Sequence, residues 1–454
     1  MKNDKLGGKL LSSGGYGCIF KPALRCFGKN TRDKNKISKL MTIKHAEEEY
    51  NEIIEIKKKI DNIPNYKKYF LIDNCSICSP EKLTKYDLKN YNECTALPKD
   101  DITLKNINQS LNKLKLINIP YGGITVEQFI LENKSYKKLI KWNNCLISLL
   151  KEGIIPMNNN NIFHSDIKDS NILVDESNID METRLIDWSL TVEYIPKSKC
   201  KFPNNWRNRP LQFNVPFSIL LFTDFFITEY TEFLKEDHSV TKERLEEFVP
   251  EYLKKWQIKR GKGHYSYINN IFYMIFSKKL TNMTISQIKN EIEENYTKKY
   301  IKNYLINVLL HFTYFKPNGL LNIRIYLDEI FIKIIDIWGF IITYLPLFEL
   351  LYENYDELSK NQMELFFKLR EIFLKYLYEP RVKPIDINDL ENDLVSINNF
   401  IQNEFKNSRS LSRETSSKLF SEAKGLAKKT TKYSIRLKKY KNKSSLKTTI
   451  KNRK

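Results

Sequence analysis

The chain has 454 residues, with 75 Lys and Arg against 54 Asp and Glu, for a net charge of +21; 41% of it is hydrophobic and 13% aromatic, with 14 Gly and 15 Pro. That length suffices for two or three domains and that apolar content for their cores, which excludes a wholly disordered chain and a fibrous one. Seven Cys, an odd number, behind an opening stretch without an apolar leader predict free thiols in a reducing intracellular setting rather than a secreted disulfide framework.

Short β-like runs come first, at Lys9–Leu11, Cys18–Phe20 and Lys36–Met41. Between the first two lies Leu11-Ser-Ser-Gly-Gly-Tyr-Gly-Cys-Ile19. This is the context for a hairpin whose glycine backbone lies over phosphates, with Gly14 and Gly17 as candidates; an ordinary tight hairpin is the alternative. Lys39, in the third run, would project toward that loop and clamp phosphates. The stretch Thr42–Ile60 predicts an amphipathic helix, with Ile43, Ala46, Tyr50, Ile53 and Ile60 on one side and Glu47, Glu48, Glu49, Glu52 and Glu55 around the rest. A carboxylate there would keep the Lys39 ammonium charged and oriented, Glu49 first and Glu52 second, although a strand lysine and a Glu-rich helix also read simply as solvated faces. Cys75-x-x-Cys78 with Cys94, joined by Cys26, has the elements of a zinc site, but only one pair has ligand spacing and scattered reduced thiols are the preferred reading.

After Gly122 the pattern is mainly helical, with a β-like pair at Ile172–Val174 and Arg184–Ile186 and an Asn run at 158–161 that signals a loop. Rare residue types coincide in Phe163-His-Ser-Asp-Ile-Lys-Asp-Ser-Asn-Ile-Leu-Val174 and Arg184-Leu-Ile-Asp-Trp-Ser189, which place Asp166, Lys168 and Asn171 on one short loop and Asp187 at the end of the next β-like run. Phosphoryl transfer needs such groups together: a carboxylate to accept a hydroxyl proton, a cation on the moving group and hard oxygen ligands for magnesium. The apolar stretch Ile330 to Leu351 contains Lys333, Asp336 and Pro346 and reads as a buried helix, not a membrane span. From Phe405 onward there are 17 Lys and Arg and two acids, which puts +15 of the charge there and leaves +6 for residues 1–404. That Ser/Thr-rich segment predicts a disordered basic tail, either merely solubilising or attracted in a salt-sensitive way to nucleic acid or acidic protein surfaces, and itself a candidate for self-phosphorylation.

The series Gly14-x-Tyr16-Gly17, Lys39, Asp166-x-Lys168-x-x-Asn171 and Asp187 resembles the protein kinase motif set in order and spacing. More narrowly, the glycine loop, the stretch Arg209-Pro-Leu-Gln-Phe-Asn-Val-Pro216 and the Lys, Asn and Ile-heavy composition look like the serine/threonine kinases of giant DNA viruses (mimivirus-like), distant relatives of the poxvirus virion kinases. The resemblance implies an α+β, bilobal kinase-like fold: a small β-rich N-lobe over 1–120, a large helical C-lobe over 121–404 and the basic tail over 405–454. It implies ATP and Mg2+ as cofactors, with Asp166 as catalytic base, Lys168 on the γ-phosphate, Asn171 and Asp187 on the metal, and Lys39 on the α/β-phosphates with Glu49 as partner. Ser12, Gly14, Gly15, Tyr16 and Gly17 would cover the nucleotide. Ile119-Pro-Tyr-Gly-Gly123 falls where the family places the interlobe hinge, so Tyr121 and Gly122 would meet adenine. Asp336-Ile-Trp-Gly-Phe340 resembles the buried helix whose Asp anchors the catalytic loop; it comes 149 residues after Asp187, which implies a helical insertion of about 217–330, the alternative being an unrelated helix.

The departures are specific. Ser12 replaces the first loop glycine, and His164-Ser165-Asp166 lacks the Arg that reads a phosphorylated activation loop, so activity is expected not to need such phosphorylation. Asp187-Trp188-Ser189 keeps the metal ligand and changes the packing residues, and no Ala-Pro-Glu is present, Asn214-Val-Pro216 being the nearest. The expected function is a serine/threonine protein kinase acting on protein hydroxyls, inside the cell (host cytoplasm or virion if viral). A small-molecule kinase of the aminoglycoside or choline type, against which Lys168 argues, and a nucleotide-binding pseudokinase scaffold are the alternatives.

Overall fold

The computed structural model describes residues 8–133, 135–177, 180–197, 202–207, 209–236 and 239–410. The protein is mixed α+β, with a small antiparallel sheet in its N-terminal part and a mostly helical remainder. The first strands, β1 (Lys9–Ser13), β2 (Gly17–Lys21) and β3 (Lys36–Thr42), follow the three β-like runs to within two residues at either end. With β4 (Ser76–Cys78) and β5 (Leu114–Pro120) they form one sheet in the order β1-β2-β3-β5-β4. The longest register is β3 on β5, from Lys36 opposite Pro120 to Thr42 opposite Leu114.

One apolar core on this sheet gathers Leu10, Phe20, Leu40, Tyr91, Leu97, Ile107 and Leu116. It is small, and covalent links supplement it. Cys18 is bonded to Cys94 and Cys26 to Cys78, with Cα separations of 5.7 and 5.8 Å. The expectation of free thiols is therefore corrected for these four, while Cys75 and Cys145 are free. Linear spacing conceals the pairing, because the bonded residues lie 76 and 52 positions apart and only the folded chain brings them together. The same bonds engage three of the four thiols that the zinc arrangement would use. A buried carboxylate closes the region: Asp87 accepts from Arg32 at both oxygens (2.7 and 2.9 Å), from the Gly8 amide (2.7 Å) and from the Thr84 amide (2.8 Å).

The helix Ile43–Ile60 joins this part to the rest. Ala46 packs with Met41 and Ile117 on the sheet, whereas Ile53, Ile56 and Ile60 belong to the large helical core. Lys57, Lys58 and Lys59 occupy its last turn, where cations complement the helix dipole. From Pro120 the chain runs into β6 (Ile124–Thr125) and the helices Val126–Glu132 and Tyr136–Ser148, then β7 (Ile162–Phe163), β8 (Ile172–Asp175), β9 (Glu182–Leu185) and β10 (Val192–Glu193). The strands β6, β8 and β9 form one small sheet and β7 and β10 another. The Asn run is split: Asn158 and Asn159 end a short helix, and Asn160 and Asn161 make the turn, with Asn161 left-handed at φ 63°.

Between Phe217 and Ile330 the main elements are helices, at Asp224–Glu236, Lys242–Arg260, Tyr265–Phe276, Ile285–Glu291, Lys298–Phe312 and Arg324–Glu329. The following helix Ile335–Ile342 is buried at every residue. Trp338 within it is fully buried, and a side chain of that size contributes about 3 kcal/mol by leaving water. Arg324–Glu353 is the one stretch among the described residues long and apolar enough to cross a membrane, and 94% of its most apolar window is buried inside the protein. The final helix, Ile387–Ser410, runs six residues into the segment predicted as tail; the remainder of that segment, 411–454, lies outside the described residues.

Candidate active site

The hairpin of β1 and β2 slips register between Leu10 and Ser12, so that Ser12 faces Ile19 and Ser13 faces Cys18. Its tip is closed by Gly14 N donating to Gly17 O at 2.8 Å. A Cβ on Gly15 would meet nothing within 4 Å, but one on Gly17 would sit 2.5 Å from Met41 and 2.8 Å from Leu40 O. Gly17 is thus required by close approach to β3, and the open backbone is at Gly14 and Gly15. Tyr16 is 62% exposed and packs on His45, ring centroids 4.5 Å apart. Ser12 is exposed, and the neighbouring Ser13 fastens the loop, accepting from Thr95 N at 2.9 Å.

Lys39 lies on β3 between Ile19 of β2 and Ile117 of β5. Its Nζ donates to both carboxylate oxygens of Glu49, at 2.7 and 2.6 Å. Glu49, not Glu52, is the carboxylate that Lys39 reaches. The Glu52 carboxyl is raised by burial and then by the charges of Glu49, Glu48 and Asp187, with Lys39 opposing. Asp187 and Lys39 therefore act on one and the same group.

The loop between β7 and β8 holds Asp166, Lys168 and Asn171. Asp336, at the start of the buried helix, accepts from His164 N (2.8 Å) and Ser165 N (2.7 Å) and so anchors the loop backbone. Three residues on, a Cβ at Gly339 would lie 2.5 Å from Ile167 O, so only glycine lets the loop rest on this helix. Ser165 is left-handed, φ 61°, and its hydroxyl accepts from the Trp206 indole N–H at 2.9 Å. His164 accepts from Asp166 N at Nδ1 (3.3 Å), so in its neutral form it carries its proton on Nε2 and donates to Ile186 O (3.0 Å). Burial holds His164 below its ordinary pKa.

Asp166 is 7% exposed and fully engaged. Its Oδ2 accepts from Lys168 Nζ (2.6 Å) and Asn171 Nδ2 (3.0 Å), its Oδ1 from Asn214 Nδ2 (2.8 Å) and Arg209 Nη2 (3.1 Å). Burial pushes this carboxyl up, but the charges of Lys168 and Arg209 together with these hydrogen bonds outweigh it and hold it below the usual range. Asp187 follows β9 in a left-handed conformation, φ 66°, exposed, with Ser189 Oγ donating to Oδ1 at 2.9 Å. Trp188 is buried edge-on against His164 and Phe70, with centroids 5.1 and 5.5 Å away. Asp166, Asp187 and Lys168 all act electrostatically on His164.

Tyr121 and Gly122 lead from β5 to β6, which pairs with β8 just beyond Asn171. Tyr121 N donates to Asn35 O at 2.9 Å, and Lys21 Nζ lies 3.0 Å from its ring centroid. A Cβ on Gly122 would fall 2.7 Å from Leu71 and 3.0 Å from Leu173, so Gly122 is taken up by packing. The structure thus joins Lys39 to Glu49 directly, and Asp166 to Lys168 and Asn171 directly, while Asp187 is linked to both groups through Glu52 and His164. Sequence reasoning joined none of Arg209, Asn214 and Trp206 to Asp166 or its loop; Arg209 and Asn214 appear there only within the stretch 209–216, and Trp206 not at all, each lying more than forty residues beyond the residue it contacts.

The oxygens available for a divalent cation are few and hard. Asn171 spends its amide nitrogen on Asp166, leaving its side-chain oxygen with no donor among the described residues, and Asp187 has one carboxylate oxygen beyond the Ser189 contact. Such a set suits Mg2+ shared with phosphate oxygens and water better than an all-protein cage. No protein-family model matches the chain, and no curated protein matches it.

Proposed function

We propose that the protein is a serine/threonine protein kinase of bilobal architecture that moves the γ-phosphate of ATP to protein hydroxyls. The observation that carries this reading is the convergence of Asp166, Lys168 and Asn171 on one anchored loop, with the Lys39–Glu49 pair and Asp187 linked to them electrostatically. In this reading Lys39 engages the α/β-phosphates, oriented by Glu49, beneath the open backbone of Gly14 and Gly15, while Tyr121 and Gly122 border the adenine. Asn171 and Asp187 hold Mg2+, which when bound neutralises phosphate charge. Asp166 orients the acceptor hydroxyl and takes its proton. The acceptor oxygen bonds to the γ-phosphorus as the bond to the β–γ bridging oxygen breaks, and ADP leaves with that electron pair. Lys168 follows the charge on the moving group. Positioning and electrostatics supply most of the rate in such a reaction, and this chain retains those groups.

The segment after Asp187 needs no phosphate to be held, since Trp206 bonds Ser165, the position where an Arg is missing, and Tyr194 bonds Asp328. The experiment is labelled-phosphate transfer from Mg-ATP to a basic and an acidic protein, beside a metabolite screen. Wild type should label protein, and Asp166→Asn should cut the rate by at least about 100-fold; labelling unchanged by that substitution, or turnover of metabolites alone, refutes the reading.

A further inference from the structure

We propose that Arg209 and Asn214 are positioning residues for Asp166: they fix its Oδ1 so that departure of Lys168 uncovers Oδ2 for the acceptor hydroxyl. This rests on the kinase reading and goes beyond it. A carboxylate offers about four lone-pair directions, and Asp166 has four protein donors, two on each oxygen. As it stands it has no free site for a hydroxyl, so one donor must leave.

Exposure decides which. The Lys168 side chain is 26% exposed on a flexible stem, against 3% for Arg209, and Asn171 and Asn214 are buried. Phosphate draws Lys168 outward, which frees one direction on Oδ2, while the Asn171 bonds to Asp166 Oδ2 and O keep the loop in shape. Rotation of the carboxylate is then opposed by the single Asn171 bond on Oδ2 and by two donors on the Oδ1 side. Arg209 is braced there by its Nε bond to Gln212 (2.5 Å), and the chain around it by Trp338 Nε1 on Phe213 O (3.0 Å) and His264 N on Leu211 O (2.9 Å). Arg209 Nη1 and Asn214 Oδ1 are buried with no hydrogen-bond partner among the described residues, so each side chain is held through its other atoms.

The test uses the full chain with Mg-ATP and the protein acceptor, with rates counted per ATP-binding site. Arg209→Met should lower kcat on the order of 100-fold and leave KM for ATP within about twofold, because a misplaced reacting group costs rate rather than nucleotide affinity. Arg209→Lys, which restores a cation toward Oδ1, should recover part of the loss. If Arg209→Met does not fold, Asn214→Leu removes one donor without stranding a buried charge, and should lower kcat about tenfold at unchanged KM. Wild-type kcat per binding site in these variants overturns this inference alone. Absence of transfer by the wild type overturns the kinase reading and the inference with it.

Discussion

Lys39 and Asp166 are the two charged groups most central to the candidate site, and their surroundings differ. Lys39 stands on a sheet with a modest apolar core and two disulfides, in an ion pair whose side chains are 18% and 19% exposed. Asp166 stands on a loop hydrogen-bonded to a helix buried at every residue. A partly hydrated pair on a cross-linked sheet adjusts at little cost, whereas a saturated carboxylate on a packed core does not. The sheet side is therefore the more adjustable of the two and the helical side the more rigid.

Equal losses of activity should therefore come with unequal losses of stability. Asp336→Ala strands two buried backbone N–H groups, at about 1–3 kcal/mol each, so a loss of about 3–5 kcal/mol is expected together with loss of transfer. Lys39→Ala should abolish transfer and cost at most about 1 kcal/mol, because water reaches the Glu49 that remains. Denaturant unfolding beside the transfer assay checks both; equal destabilisation by the two would erase the contrast.

Legibility in the sequence divides along a similar line. The strands β1 to β3, the helix Ile43–Ile60 and the buried helix at Asp336 were all readable, because each carries its own periodicity or a local motif. Glu49 could be chosen over Glu52 but not secured, since both lie on the same helix and only the packing of that helix on β3 selects one. The disulfides and the partners of Asp166 were not readable. Cys18 with Cys94, and Asp166 with Arg209, are contacts across long stretches of chain, and nothing in local pattern distinguishes such residues from their neighbours.

A second way to sharpen the comparison is to cut the cross-links. Replacing Cys18 and Cys94 together by Ser should cost about 2–4 kcal/mol, since the bond closes a loop with a separation of 76 residues. The effect should be local. Amide exchange in β1, β2 and the 91–97 region should accelerate while the helix Ile335–Ile342 stays protected. Reductant on the wild type, which cuts Cys26–Cys78 as well, should have at least this effect on the same sheet, and a uniform loss of protection would mean that sheet and helices unfold as one unit.

The smallest expected effect is one of sign. Asp87, in the sheet region, is pushed up by burial but more strongly pulled down by Arg32 and Thr84, so its carboxyl sits below the ordinary range. Its contribution is present above the unfolded pKa, near 4, and is lost as pH falls through the lower folded value. Asp336 is the opposite case. Burial pushes it up to about 7, against the amides of Ser165 and His164 and the charge of Arg209, with Asp166 adding to the rise. Between pH of about 4 and 7 the folded protein keeps a proton there that the unfolded chain has released, so this contribution is full in acid and lost as pH rises through 7. Acid should therefore loosen the sheet first, while the Asp336 contribution to the helical core is present at pH 5 and gone at pH 8, against that of the buried His164, whose lowered pKa acts in the opposite sense. Asp336→Asn should flatten the neutral side of the stability profile and Asp87→Asn the acid side, each by on the order of 1 kcal/mol or more, read by region-resolved amide exchange at pH 3.5, 5 and 8 with intrinsic rates corrected for pH. An Asp336→Asn profile no flatter than that of the wild type between pH 5 and pH 8 would show that Asp336 is ionised throughout, and that its two amide bonds and Arg209 outweigh its burial.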